Sequence, residues 1–238
     1  MEWHSVDEKV WGRSLALLED SDLAKTVTRV YPGTRRYDAV VRLRYQGLAE
    51  TGFIDTATMK PDCMRLARDF DSVILAAFDG PTCMATLTLN TITDTHSGLA
   101  MELEKKASVP HPFFRSRKTL EFTKFVIAPA YRNTRIGMYM YEVSAIISRV
   151  LDKPHFWQVG RDDERDVFVR SRAGFDYSDN YRFTDVSLNN MVSRIGYMHF
   201  PSVLANPNVS RVFRRMFEAV LTIPEETLCQ TQLLEHTA

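Results

Sequence analysis

Hydrophobic and polar positions along this chain follow two periods, and the place where one gives way to the other is the most informative stretch. From Thr119 to Val126 (TLEFTKFV) they alternate, with Leu120, Phe122, Lys124 and Val126 on one side and Glu121, Thr123, Phe125 and Ile127 on the other. Apolar groups on both sides predict an interior strand. Beyond Ile127-Ala128-Pro129-Ala130-Tyr131 and the turn Arg132-Asn133-Thr134-Arg135 the period lengthens. Ile136, Met140, Val143, Ile147 and Val150 form one apolar stripe, which predicts a helix to about Leu151 that stops before Pro154. A strand feeding a helix through a turn containing Arg and Gly aims backbone N–H groups and the positive end of a helix dipole at one point. That arrangement suits a phosphate-bearing ligand. On a regular strand Glu121 and Lys124 fall on opposite faces, so they share a site only across a bulge or twist.

The same patterning predicts the remaining elements. Residues 5–18 read as weakly helical, Lys25 to Tyr31 as an edge-like strand, and Arg35 to about Leu48 as a helix with Tyr37, Val40, Val41 and Leu48 on one side. Arg44 falls on that apolar side. It either snorkels past the core, pairs structurally with a carboxylate, or serves the site. Two apolar runs, Ser72 to Phe78 and Cys83 to Leu89, joined by Asp79-Gly80-Pro81, predict a hairpin. Further on, Leu99 to Lys106 reads as a helix, Phe156 to Val159 as a strand, and Asp162 to Arg172 as a helix closed by Gly174. Tyr181 to Ser187 reads as a strand, and Val209 to Leu221 as a helix with Val212, Met216 and Val220 inward. This order predicts an α+β (or α/β) domain with a mixed sheet flanked by helices.

Composition narrows the classes. A chain of 238 residues with 45% hydrophobic content fits one large domain. Lys plus Arg equals Asp plus Glu at 30 each, which disfavours nucleic acid as a partner. Cys63, Cys83 and Cys229 are odd in number and widely spaced, which argues against a disulfide framework or a metal site and for a reduced cytosol. No stretch is apolar for long enough to span a bilayer, so a cytoplasmic protein is expected.

The turn Arg132-Asn133-Thr134-Arg135-Ile136-Gly137 resembles the Q/R-x-x-G-x-G/A turn of the GNAT acyltransferase superfamily, with Arg135 in place of the middle Gly. Val169-Arg170-Ser171-Arg172-Ala173-Gly174-Phe175 resembles that superfamily's later element, with Arg170 where a Tyr often acts as general acid. A closer resemblance covers Val41 to about Tyr181. It rests on Val41-Arg42-Leu43-Arg44-Tyr45, Asp69-Phe70-Asp71, Ala85-Thr86-Leu87-Thr88-Leu89, Gly98-Leu99-Ala100-Met101-Glu102 and Glu121-Phe122-Thr123-Lys124-Phe125-Val126-Ile127. In that order these are similar to the long-chain, FeeM-type N-acyl amino acid synthases and, more distantly, the acyl-homoserine-lactone synthases. Ala100 replaces the usual Pro, and Lys124 the commoner Arg.

The resemblance implies a GNAT-like, mostly antiparallel central sheet. The core would span residues 25–190, with helical extensions at 1–24 and 191–238. It implies transfer of an acyl group from acyl-carrier protein, through its phosphopantetheine arm, or from acyl-CoA, to the amine of an amino acid, with no permanently bound cofactor and no metal. Backbone groups at Val126 and Ile127 would meet the thioester oxygen. Arg132, Asn133, Thr134, Arg135, Ile136, Gly137 and Met138 would hold the phosphate arm. Glu121 would act as base through a water or anchor the acceptor ammonium; the structural alternative pairs it with Arg44, Arg117 or Lys124. Lys124 is a second catalytic candidate, and Arg44, Asp69 and Asp71 would shape the acceptor pocket. Phe113, Phe114, Met138, Met140 and Phe168 are tunnel candidates or plain core. An acetyl-CoA-dependent N-acetyltransferase and a non-catalytic acyl-thioester-binding module are the competing readings.

Overall fold

The computed structural model describes residues 27–91, 118–185 and 191–226. In chain order these form β1 (Val27–Val30), α1 (Arg35–Glu50), β2 (Val73–Asp79), β3 (Thr82–Thr91), β4 (Thr119–Ile127), α2 (Ile136–Val150), β5 (His155–Arg161), α3 (Glu164–Arg172), β6 (Asp176–Asp185), β7 (Met191–His199) and α4 (Arg211–Leu221). The strands make one sheet in the order β1-β2-β3-β4-β5-β7-β6. Every neighbouring pair is antiparallel except β4 and β5, which run parallel. Parallel neighbours need a crossover, and α2 supplies it. The mixed, mostly antiparallel sheet with flanking helices is the expected architecture, and the hairpin, the β4–α2 unit and β5 fall where the patterning puts them.

Each face of the sheet has its own cover. Leu75, Leu87, Leu89, Leu120 and Phe122 point to the face that carries α2 and α4, where they meet Met140, Val143, Ile147 and Phe217. Ile74, Ala76 and Phe78 point to the opposite face and meet Tyr37, Val40 and Val41 of α1. Close approach of α1 to β4 depends on Gly47, because a Cβ there would stand 2.4 Å from Val126 Cγ1. The helix stripe predicted for α2 is buried throughout.

Three expectations change. Residues 191–199, assigned to a helical extension, form β7 inside the sheet between β5 and β6. Its small residues hide the strand pattern, for Gly196 leaves the space that the Tyr177 ring fills; a Cβ there would lie 2.6 Å from Tyr177 Cζ. In α4 the inward stripe is Phe213, Met216, Phe217 and Val220, while Val212 faces outward at 60% exposure. β6 begins at Asp176, five residues before the sequence pattern suggests. The predicted helices at residues 5–18 and 99–106, and the Gly98 to Glu102 motif, lie outside the described residues. Among those described, no helix is long and apolar enough to cross a membrane.

Gly47 generates the first prediction. Alanine has the better intrinsic helix propensity by about 1 kcal/mol, yet Gly47→Ala is expected to destabilise the protein by about 1–3 kcal/mol through overpacking against Val126. Urea unfolding checks the sign.

Candidate active site

β4 and β5 stay paired for only a short distance. Their register runs Thr119 to His155, Leu120 to Phe156 and Glu121 to Trp157, and there it ends. Beyond that point β4 has β3 on one side and, among the described strands, no neighbour on the other. An opening therefore forms at the C-terminal ends of two parallel strands.

A bulge in β4 shapes this opening. Thr86 pairs with Val126 and Thr88 with Thr123, so Leu87 stands across from an extra residue. Lys124 takes up the irregularity in the left-handed region, at φ 53°. The extra residue shifts the side-chain alternation. Phe122, Phe125 and Ile127 pack on the α2 face, while Glu121, Lys124 and Val126 turn toward α1. Glu121 and Lys124 thus share a face, as the bulge geometry requires.

On that face lies a buried polar network. Asp69, wholly buried, receives Arg44 Nη1 at 2.6 Å, Lys124 Nζ at 2.7 Å and the Tyr37 hydroxyl at 2.8 Å. Arg44, 1% exposed, also donates to Thr88 Oγ1 at 2.6 Å. Beside it, Asn90 accepts a hydrogen bond from Ser72 and donates to Glu121 Oε2 at 2.6 Å. Burial alone would raise the Asp69 pKa. The charges of Lys124 and Arg44, and the hydrogen bonds from Lys124 and Tyr37, outweigh it and hold the carboxyl below its ordinary value. Burial and the neighbouring carboxylate push the Tyr37 hydroxyl up to about 12, so it stays a donor.

Arg44 does not snorkel; its charge is spent inside on Asp69. Asp71 ends the 3-10 turn Ala67–Asp71, and its side chain lies outside the described structure. Asn90, Thr88, Ser72 and Tyr37 are the residues of this network that were not singled out in the sequence as site candidates. For Thr88 and Asn90 the signal was present in β3, where Thr86, Thr88 and Asn90 interrupt an otherwise apolar strand at period two.

The mouth of the opening is built by the β4–α2 turn. Alternation along β4 is anchored by the Ala128 amide, which donates to Met84 O. It turns the Phe125 and Ile127 amides away from β3 toward the opening and the Val126 amide toward β3. Asn133 adopts φ 70°, and Thr134 Oγ1 accepts from the Ile136 amide at 3.3 Å. The next amides, Gly137 and Met138, precede the first intrahelical bond of α2, made by the Tyr139 amide to Arg135 O. Arg135 is the N-cap residue, makes no side-chain cap, and is exposed. Arg132 pairs with Glu50 and donates to Ile127 O. Gly137 faces Ile127 Cδ1, 3.0 Å from where a Cβ would be, so this glycine seats the helix start on β4.

Other candidates stand apart. Phe168 is 60% exposed on α3 and lines no interior space, and Met140 is plain core. His155 and His199 stack on each other at the far end of β5, with centroids 4.7 Å apart. Phe113, Phe114 and Arg117 lie outside the described residues. Among those described, no cluster of His, Cys, Asp and Glu has the makings of a metal site.

The sequence profile of the family described as N-acyl amino acid synthase FeeM matches residues 39–163. No curated protein matches the chain. Among solved structures, FeeM, an N-acyl amino acid synthase from uncultured soil microbes, superposes with a TM-score of 0.50 at 9% identity, covering 79% of this chain and 98% of that one. TofI, solved in a ternary complex with an inhibitor and MTA, gives 0.53 at 12% identity over 79% of this chain and 97% of that one. An N-acetyltransferase from Staphylococcus aureus Mu50 gives 0.50 at 9% identity over 73% and 98%. At these identities the structural matches establish the fold.

The shared carboxylate generates the second prediction. Asp69→Asn leaves the Arg44 charge buried without its counterion and is expected to cost about 3–5 kcal/mol. Because the folded pKa of Asp69 lies below an unfolded value of about 3.9, its contribution is present above that pH and drains away as pH falls through the lowered value. Chemical unfolding from pH 6 downward should show a steep acid limb in the native protein and a flatter one in Asp69→Asn.

Proposed function

Because this chain belongs to the N-acyl amino acid synthase FeeM family, we propose that it transfers an acyl group from a phosphopantetheine thioester, carried by acyl-carrier protein or coenzyme A, to the amine of an amino acid. It is an acyltransferase with the GNAT fold. One observation carries the reading: β4 and β5 part after Glu121 and Trp157, and the N-terminus of α2 lies at the mouth of the opening so formed.

A thioester arm laid in this opening meets complementary groups along its length. The Gly137 and Met138 amides, the positive end of the α2 dipole and the Arg135 side chain receive the phosphate. Further in, the Phe125 and Ile127 amides donate to the thioester carbonyl as it becomes an oxyanion. The chemistry asks little more, since the thioester is already activated. The remaining needs are to hold the acceptor beside it and to take protons from an ammonium.

The acceptor approaches from the α1 face. Glu121, oriented by Asn90, binds the ammonium and passes its proton to water. Lys124 offers a cation to the acceptor carboxylate. Its side chain is 14% exposed, whereas Arg44 and Asp69 beneath it are 1% and 0% exposed. Arg44 and Asp69 therefore act on the acceptor through Lys124, by fixing where its ammonium lies. This places carboxylate and ammonium readers on one face and suits an α-amino acid better than a simple amine.

Purified protein offered acyl-carrier-protein and acyl-CoA donors with a panel of amino acids should yield N-acyl amino acids by mass spectrometry; no product with any pairing would end the proposal. Glu121→Gln should fold and lose about 10²- to 10⁴-fold in kcat, and an unchanged rate would remove Glu121 from the chemistry. Gly137→Val should raise donor KM by at least about tenfold, because the branch forces the start of α2 off Ile127 and moves the amides with it. Acceptor KM should stay level.

A further inference from the structure

A second, half-buried ionic cluster lies on the other face of the sheet, and the acceptor network does not use it. Arg170 of α3 donates to Gln158 Oε1 at 2.8 Å and pairs with Asp166 at 3.2 Å; its side chain is 20% exposed. Gln158 in turn donates to the Tyr177 hydroxyl at 2.9 Å. The guanidinium lies flat against β5 at Gly160, where a Cβ would come within 3.0 Å of Arg170 Cζ. Any side chain at that position would displace the cation.

The placement of this cation is specific. Gln158 and Gly160 lie on β5 just past Trp157, where its pairing with β4 has ended. Across the opening, the Tyr141 ring stacks on Phe122 of β4 at 4.8 Å and meets Phe125 edge-on at 5.4 Å. The Arg170 charge is felt at Tyr141, whose hydroxyl burial nonetheless pushes up to about 12, so it remains neutral. The β4 wall of the opening thus carries amides, and the β5 wall carries a fixed positive charge. Asp166, Gln158 and Tyr177 use part of a guanidinium that has five N–H donors, which leaves it capacity for a ligand.

We infer, resting on the acyl-transfer reading above, that Arg170 stabilises the thiolate expelled from the donor. In the reaction the acceptor nitrogen bonds to the carbonyl carbon, the C–S bond breaks, and its electron pair leaves on sulfur. The ammonium gives up two protons, one before attack and one after, through Glu121 to water. No proton reaches the sulfur from Arg170, because a guanidinium does not deprotonate in this range. The thiolate leaves as an anion beside a fixed cation and takes its proton from solvent afterwards.

Leaving-group dependence tests this. Acyl-pantetheine has a weakly acidic alkyl thiol as its leaving group, whereas an S-aryl thioester expels a more acidic thiol that needs less help. Arg170→Gln, shown to be folded by thermal unfolding, should lose about 10²-fold in kcat/KM with the alkyl donor and less than about tenfold with the aryl donor. Equal losses with both donors would make Arg170 a structural residue and overturn the inference, as would no loss with either. If Arg170→Gln does not fold, the native protein decides. Its rate across a series of simple thioesters should vary little with thiol acidity, and a steep rise toward acidic thiols overturns the inference. Native protein inactive with every donor overturns the acyl-transfer reading itself, and this inference with it. An active native protein with the wrong leaving-group pattern overturns this inference alone.

Discussion

A single extra residue in β4 governs the arrangement of the site. Without the bulge at Lys124, β4 would keep regular alternation, Lys124 would point into the α2 core, and Glu121 would face α1 alone. A lysine in that apolar core is costly unless paired. With the bulge, the same lysine reaches Asp69 at 2.7 Å, and Phe125 takes its place against Tyr141. The left-handed conformation at a non-glycine residue carries its own strain, of order 1 kcal/mol or more. The ion pair with Asp69 and the packing of Phe125 offset it. Strand shape, side-chain polarity and the opening beside β5 are thus consequences of one irregularity.

Much of this was legible in the residues. The period change at Ile127 marked β4 and α2 because a strand and a helix differ most clearly where both are long and apolar. The need for a bulge was legible too, since Glu121 and Lys124 stand at odd spacing and both are charged. What the sequence did not reveal is where the partners come from. Asp69 is twenty-five residues from Arg44 and fifty-five from Lys124, and nothing in a local pattern says that one buried carboxylate serves both. Arg44 on an apolar stripe was the clue, for an arginine there demands a counterion, but the choice between Asp69, Asp71 and Glu121 needed coordinates. β7 went unread for a different reason: serine and glycine at inward positions suppress the alternation that marks a strand.

The two faces of the sheet differ in charge. On the α1 side the buried groups are joined in two chains, Ser72 to Asn90 to Glu121 and Tyr37 with Arg44 and Lys124 on Asp69, with Arg44 Nε alone left without a hydrogen-bond partner among them. Such a network is stiff, because each member loses a partner if any one moves. That stiffness suits the reading of a small zwitterion, whose two charges must be met at a fixed separation. On the α2 side the polar groups are sparse and lie at the edges of an aromatic cluster of Phe122, Phe125, Tyr141, Phe175 and Phe213. An apolar wall with a few oriented donors suits a thioester, which is weakly polar until the oxyanion forms.

Arg135 is the clearest departure from the superfamily turn, and its setting accounts for it. A helix N-terminus ordinarily gains from an acidic first turn or a capping side chain at the N-cap, and α2 has neither, with only Thr134 Oγ1 on its first amide. It has instead an exposed arginine at the cap, and a second, Arg132, one turn earlier that is paired with Glu50, so in the free protein the Arg135 charge stands at the positive end of a dipole. The cost is modest at the surface, a few tenths of a kcal/mol for such contacts. It reverses sign when an anion docks, since the same amides and the same guanidinium then face opposite charge. Because Arg135 is exposed, under the proposed reading its side chain would meet a phosphate from the solvent side. Backbone approach, which a glycine would provide at this position, gives way to charge. Under the proposed reading, a turn of this kind would bind its ligand more through salt-sensitive attraction than through close main-chain contact.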